Sequence, residues 1–187
     1  MSKPAMIRTS LCALGMMTAL AACSSEKPGE PANSAQNGSE PKAENGKRFL
    51  AQPLVSEIYT ADPSAHVFNG KIYIYPSHDV DAGIPDDDLG TQYAMHDYRV
   101  LEMDSIGGPV KVGPPALDVK DVPWASKQMW APDAAFKNGT YFLYFPVKDK
   151  QGIFRIGVAT GKDPMGPFKA EPEPIPGSYS MDPTVFT

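Results

Sequence analysis

From Phe49 to Thr187 the apolar residues fall in short bursts rather than in helical stripes. The segments KIYIYP (71–76), YRVLEM (98–103), TYFLYF (140–145) and FRIGVAT (154–160) are rich in β-branched and aromatic side chains. Each is bounded by Gly, Pro, Asn or Asp, which marks it as a strand. Asn-Gly precedes two of them, at Asn69-Gly70 and Asn138-Gly139, and that dipeptide supplies the positive φ values of a tight hairpin. No stretch of a dozen residues keeps an uninterrupted 3.6-residue apolar face. Of the 20 prolines, 16 lie beyond residue 49, and each removes a donor that a long helix needs. The chain is predicted to be all-β, built of antiparallel hairpins.

The hairpins repeat. AHVFNGKIYIY (65–75) aligns with AAFKNGTYFLY (134–144) at an offset of 69 residues. Downstream, YRVLEMDSIGGPVK (98–111) matches FRIGVATGKDPMGPFK (154–169) once two extra residues are admitted. Each unit then reads strand, Asn-Gly turn, strand, third strand, Gly-Pro turn, fourth strand. A four-stranded antiparallel unit in tandem is the blade of a β-propeller, whose sheets pack radially about a channel. Two blades are predicted, at roughly 60–118 and 131–176, and a third opens at Met181–Phe186. Because propellers have about four to eight blades, the sequence is expected to be incomplete at its C-terminus or to represent a truncated product.

The N-terminal part has a different character. Residues 1–22 carry Lys3 and Arg8 and then the apolar run LCALGMMTALAA, the layout of a secretory signal, too short for a spanning helix. Leu20-Ala21-Ala22-Cys23 resembles a bacterial lipoprotein signal, which implies cleavage before Cys23 and lipidation of its thiol. Residues 24–48 contain no aromatic and no Ile, Leu, Val or Met. They are expected to form, with Cys23, a disordered tether (23–48) to the domain at 49–187. The protein is thus expected to be exported and held at a membrane through lipid alone. Cys12 leaves with the signal, so no intrachain disulfide supports the domain. The formal net charge of −5 argues against a nucleic-acid partner, whose phosphates select for Lys and Arg.

Three carboxylates stand at the predicted blade openings: Asp62 in ADPSAHVF, Asp133 in WAPDAAF and Asp182 in MDPTVF. The first strand of a blade lines the axis, so all three are expected to point at one channel mouth, where neighbouring acids divide labour by shifting each other's pKa. Trp124 and Trp130 flank Asp133 in sequence and are candidate sugar platforms, since an aromatic face stacks on a pyranose or furanose ring. His66 reads as a buried, hydrogen-bonded residue. The acidic stretch HDVDAGIPDDD (78–88) lacks the EF-hand spacing, with Gly90 and Gln92 at the twelfth positions counted from Asp79 and Asp81. It reads as a solvated loop able to overhang the pocket. There is no Walker loop, GxGxxG, CxxC or nucleophile elbow.

The run Thr60–Gly70, then Trp130-Ala131-Pro132-Asp133, then Asp182-Pro183-Thr184-Val185-Phe186 resembles glycoside hydrolase family 43, the five-bladed propellers that trim xylose- and arabinose-containing polysaccharides. The resemblance implies inverting hydrolysis of β-xylosides or α-L-arabinofuranosides, with Asp62 as general base and Asp182 as the Asp that tunes pKa. It places Asp133 at the substrate pocket and allows a calcium ion in the channel. The expected partner is a xylan- or arabinan-derived oligosaccharide. The family's general acid, a Glu of the fourth blade, has no counterpart; Glu171 and Glu173, in AEPEPIP, are expected to face solvent. That leaves two alternatives beside the enzyme: a non-catalytic glycan-binding lipoprotein, or an inactive fragment.

Overall fold

In the computed structural model the described residues are 52–186; the signal-like segment 1–22, Cys23 and the tether lie outside them. Nine strands and one short 3-10 turn at Val119–Asp121 make up the regular structure of the described residues. Strands β1 (Tyr59–Phe68), β2 (Lys71–Asp79), β3 (Asp97–Met103) and β4 (Val110–Asp118) form one antiparallel sheet in sequence order. The second sheet comprises β5 (Ala125–Lys127), β6 (Asp133–Lys137), β7 (Thr140–Asp149), β8 (Phe154–Gly161) and β9 (Lys169–Ala170). Strands β7, β8 and β9 follow one another, while β5 and β6 share one edge of β7, β5 at its C-terminal end and β6 at its N-terminal half. These are the first two blades of a β-propeller.

Both Asn-Gly turns have positive φ at both residues, 52° and 77° at Asn69-Gly70 and 51° and 72° at Asn138-Gly139, the geometry that matches the twist of paired strands. The pairs Ser64↔Tyr75 through Phe68↔Lys71 in the first sheet recur as Asp133↔Tyr144 through Lys137↔Thr140 in the second. The repeat seen in the sequence is therefore a repeat of hydrogen-bond register.

Strand β5 is absent from the sequence expectation. The inner strand of the second blade is interrupted at Gln128–Pro132, where Gln128 takes φ 63°, so a three-residue piece pairs separately. Residues 181–186 form no strand, because no ladder partner for them lies among the described residues.

The core is mostly an interface between the two sheets. Tyr141, Leu143, Phe145 and Val147 of β7 alternate onto one face and are all buried, as the two-residue period of a strand requires. They meet Tyr73 and Tyr75 of β2 and Tyr98 and Val100 of β3 in one apolar cluster. The intervening Ile74 turns to the other face, where it packs with Leu101 and Met103 under Val55 and Ile58. Polar ends are tied off across the sheets: the Tyr75 hydroxyl donates to the Pro164 carbonyl at 2.9 Å, and Asn69 Nδ2 to the Tyr141 hydroxyl at 2.9 Å.

Candidate active site

Asp62 owes its position to two prolines. Pro63 on β1 and Pro76 on β2 lack N–H groups, so the ladder cannot continue between the pairs Ala61↔Ser77 and Ser64↔Tyr75. Two residues of β1 face one of β2, the strand bulges, and Asp62 is thrown outward at φ 46°, a left-handed conformation that Asp tolerates better than most residues. Asp182, also followed by Pro, takes φ 55°. Both carboxylates are exposed, and both line the same cavity of about 810 Å³.

One wall of that cavity is aromatic. The Trp130 and Phe154 ring centres lie 4.5 Å apart, and Tyr93 meets Trp130 edge-on at 6.2 Å. Trp130 is held at both ends: its indole N–H donates to the Tyr93 carbonyl at 2.9 Å, and its own carbonyl accepts from the Tyr98 hydroxyl at 2.6 Å. The cavity is also lined by acids, Asp79, Asp87 and Asp88, the last beside Leu89. Asp87 caps its own loop, accepting from the amides of Leu89 at 2.9 Å and Thr91 at 3.0 Å and from the Thr91 hydroxyl. The stretch expected to overhang the pocket thus contributes to its wall.

Asp133 behaves differently from the other two acids. Its residue is 4% exposed. Oδ1 lies 2.6 Å from His66 Nε2 and accepts from the Ala134 amide at 2.8 Å, while Oδ2 accepts from the Val185 amide at 2.7 Å and the Thr184 hydroxyl at 3.2 Å. Burial by itself would raise its pKa; the bonds from His66, Val185 and Ala134 outweigh burial, and the net position is below the usual carboxylate range. Asp149 is lowered too, chiefly by the Ile153 amide, with Arg155 and Gln151 adding to the effect against desolvation.

A folded pKa depressed below its unfolded value contributes stability above the ordinary carboxylate range and loses it as pH falls through that range. The thermal midpoint of the chain is therefore expected to hold at neutral pH and fall from about pH 5 downward. Asp149→Asn is expected to lower the midpoint at pH 7 and flatten the acid limb in a calorimetric pH series. An unchanged limb removes Asp149 from this account.

The structure revises the expectation of three equivalent acids. At the 69-residue offset set by the strand register, Asp62 corresponds to Ala131, and Asp133 corresponds to Ser64. Of the three, only Asp62 and Asp182 stand directly before proline with a positive φ. Asp133 sits two residues further along, which places it inside the fold rather than at the mouth, although it reaches a smaller cavity of about 310 Å³ that Asp62 and Asp182 also line.

Trp130 stands at the cleft as expected, whereas Trp124 does not. It stacks on Phe145 at 6.2 Å and lines a separate cavity with the proline-rich segment 172–176. The reason is β5, which starts at Ala125 and carries Trp124 to the far end of β7. Glu171 and Glu173 are exposed. Tyr93 and Phe154 are additions that sequence reading missed. The signal for Phe154 was present: in the repeat it matches Tyr98, and both touch Trp130, one by its ring and one by its hydroxyl.

Among the described residues no three His, Cys, Asp or Glu side chains converge on one point. His66 has its Nε2 engaged by Asp133.

The model of "Glycosyl hydrolases family 43" matches residues 50–187. The chain belongs to that family. Its family 43 relatives include a xylosidase/arabinosidase 43A of Humicola insolens, 61% identical over 136 residues, which are 72% of this chain and 42% of the relative. Among solved structures, a family 43 β-xylosidase/α-arabinofuranosidase from a compost microbial metagenome, in complex with xylotriose in a calcium-free form, is 65% identical with a TM-score of 0.71; the match covers 72% of this chain and 41% of that one. A family 43 enzyme from Xanthomonas citri complexed with xylose is 56% identical with a TM-score of 0.66, over 72% of this chain and 38% of that one. The chain thus spans about two fifths of the length of the relatives it matches.

Proposed function

We propose that the full-length protein is an inverting glycosidase that releases xylose or arabinose from hemicellulose oligosaccharides, and that this chain supplies two of its carboxylates and one aromatic wall. The observation that carries the reading is the opening of Asp62 and Asp182 into one cleft beside Trp130 and Phe154. Asp62 acts as general base on a water held over the sugar. Asp182, on the same cleft, places a second negative charge beside the sugar site, where it acts on the acid supplied by the rest of the protein. Inversion needs base and acid about 6.5–9.5 Å apart, with room for that water between them. The aromatic wall offers the sugar an apolar platform, and the relatives' names and bound xylotriose support a pentose in that place.

The test is hydrolysis of aryl β-D-xyloside and aryl α-L-arabinofuranoside by the full-length protein, with the first-formed anomer read by NMR. Release of the inverted pentose supports the proposal; binding of xylo-oligosaccharides without turnover makes the protein a glycan-binding module instead.

Export and lipid anchoring at Cys23 belong to the same proposal, supported by Leu20-Ala21-Ala22-Cys23 and the featureless 24–48 that follows. A single acyl chain anchors only marginally and stable attachment needs more than one. Wild-type protein is therefore expected in the membrane fraction with a multiply acylated N-terminal peptide by mass spectrometry. Cys23→Ala should abolish that mass shift and move the protein to the soluble fraction. An unmodified Cys23 in the mature protein removes the anchor.

A further inference from the structure

We propose that Asp133 is a positioning residue for this reaction: its carboxylate holds the segment that bears Asp182 in place against the strand that bears Asp62. The role rests on the glycosidase reading above, and it explains how two exposed acids from distant parts of the chain keep a fixed separation.

The bridge can be followed atom by atom. Asp62 and His66 both belong to β1. The His66 ring is fixed by stacking on Phe68, 5.5 Å away and 9° from parallel, and by the edge of Tyr75 at 6.2 Å. Its Nε2 meets Asp133 Oδ1 at 2.6 Å. Across the same carboxylate, Oδ2 accepts from Val185 N–H at 2.7 Å and from the Thr184 hydroxyl at 3.2 Å, three and two residues beyond Asp182. Asp133 itself is anchored by the pairing of β6 with β7 and by its bond from the Ala134 amide at 2.8 Å.

On its N-terminal side the segment is tied to β8, where Arg155 Nη1 donates to the Ser178 carbonyl at 3.0 Å and the Ile156 amide to the Ser178 hydroxyl at 3.1 Å; on its C-terminal side the tie is Asp133. Residues 181–186 lie in no ladder, and the hydrogen bonds of Thr184 and Val185 to the rest of the fold end on Asp133. The repeat shows why a carboxylate is needed. The equivalent positions in the neighbouring units are Ser64 and Thr184, whose hydroxyls each carry one oxygen where Asp133 carries two. A carboxylate has two acceptor oxygens on opposite sides, so one can serve each neighbouring blade. Reaction geometry is steep in distance: a misplacement of about 1 Å costs on the order of 10²-fold.

The experiment compares wild type, Asp133→Ala, Asp133→Asn and Thr184→Val in the full-length protein, with kcat and KM measured separately and thermal melts run alongside. Asp133→Ala is expected to lower kcat by about 10²-fold with KM near its wild-type value, because the wall that binds sugar is untouched. Asn retains one acceptor for Val185 but turns its amide N–H toward His66 and the Ala134 amide, so Asp133→Asn should recover part of the loss. A merely structural role would not give that split or that rescue. Should Asp133→Ala fail to fold, Thr184→Val carries the test with a smaller fall in kcat at unchanged KM. Wild-type kcat in every folded variant, or a loss confined to KM, overturns the positioning role alone. A wild-type protein inactive on every pentoside sinks the glycosidase reading and takes the positioning role with it.

Discussion

Asp62→Asn is expected to lower kcat/KM of the full-length protein on an aryl β-xyloside by about 10² to 10⁴ while leaving its melting temperature unchanged. The rate falls because an amide has no basic oxygen to take the proton from the attacking water. The fold survives because Asn is among the residues that best tolerate the left-handed conformation, here φ 46° at position 62, and because the exposed side chain packs against nothing that the substitution changes. Full activity in Asp62→Asn would refute the base assignment outright. A loss of activity accompanied by a lower melting temperature would instead place Asp62 among the residues that hold the bulge.

The second large effect is on stability. Phe145→Ala is expected to destabilise the chain by about 3–5 kcal/mol, the range for truncating a fully buried aromatic. Phe145 is 0% exposed, stacks on Trp124 at 6.2 Å and meets Tyr98 edge-on at 6.3 Å. It therefore fastens both blades and the start of β5 together. Its ring fills the space above Gly157, its register partner on β8; a Cβ there would stand 2.7 Å from Phe145 Cε2 and 2.8 Å from Trp124 Cζ2.

Gly157→Ala alone should accordingly cost about 1–3 kcal/mol by overpacking. In the double variant the added methyl enters the room left by the ring, so the two costs should sum to less than their separate values. Urea denaturation of the four proteins checks this. Additive costs would mean that Phe145 and Gly157 do not share the space, and the packing between the blades would need another explanation.

The likeness of the two hairpins was legible because an Asn-Gly turn fixes register, and register fixes which side chains face which neighbour. The acids were legible only in part. Asp62 and Asp182 stand before proline, and at Asp62 the proline on the inner strand forces a bulge that turns the residue ahead of it outward. Asp133 follows its proline and so falls inside the ladder, a distinction that motif reading blurred because all three lie near Asp-Pro or Pro-Asp. Trp124 was misplaced for a related reason: a break in the inner strand at Gln128 leaves no trace in hydrophobic pattern, yet it moves everything upstream of it along β7. Tyr93 was out of reach, since its loop has no periodicity and its place depends on the hydrogen bond from Trp130.

Local chemistry in the chain was enough to determine that it is all-β and that its hairpins repeat, because turns and strand alternation are decided by neighbours a few residues apart. Which acids meet over one cleft, which tryptophan faces it, and which carboxylate ties the blades together was decided only by the packing of one sheet on the next, where residues as far apart in sequence as Tyr75 and Pro164 come into contact and no local pattern records the meeting.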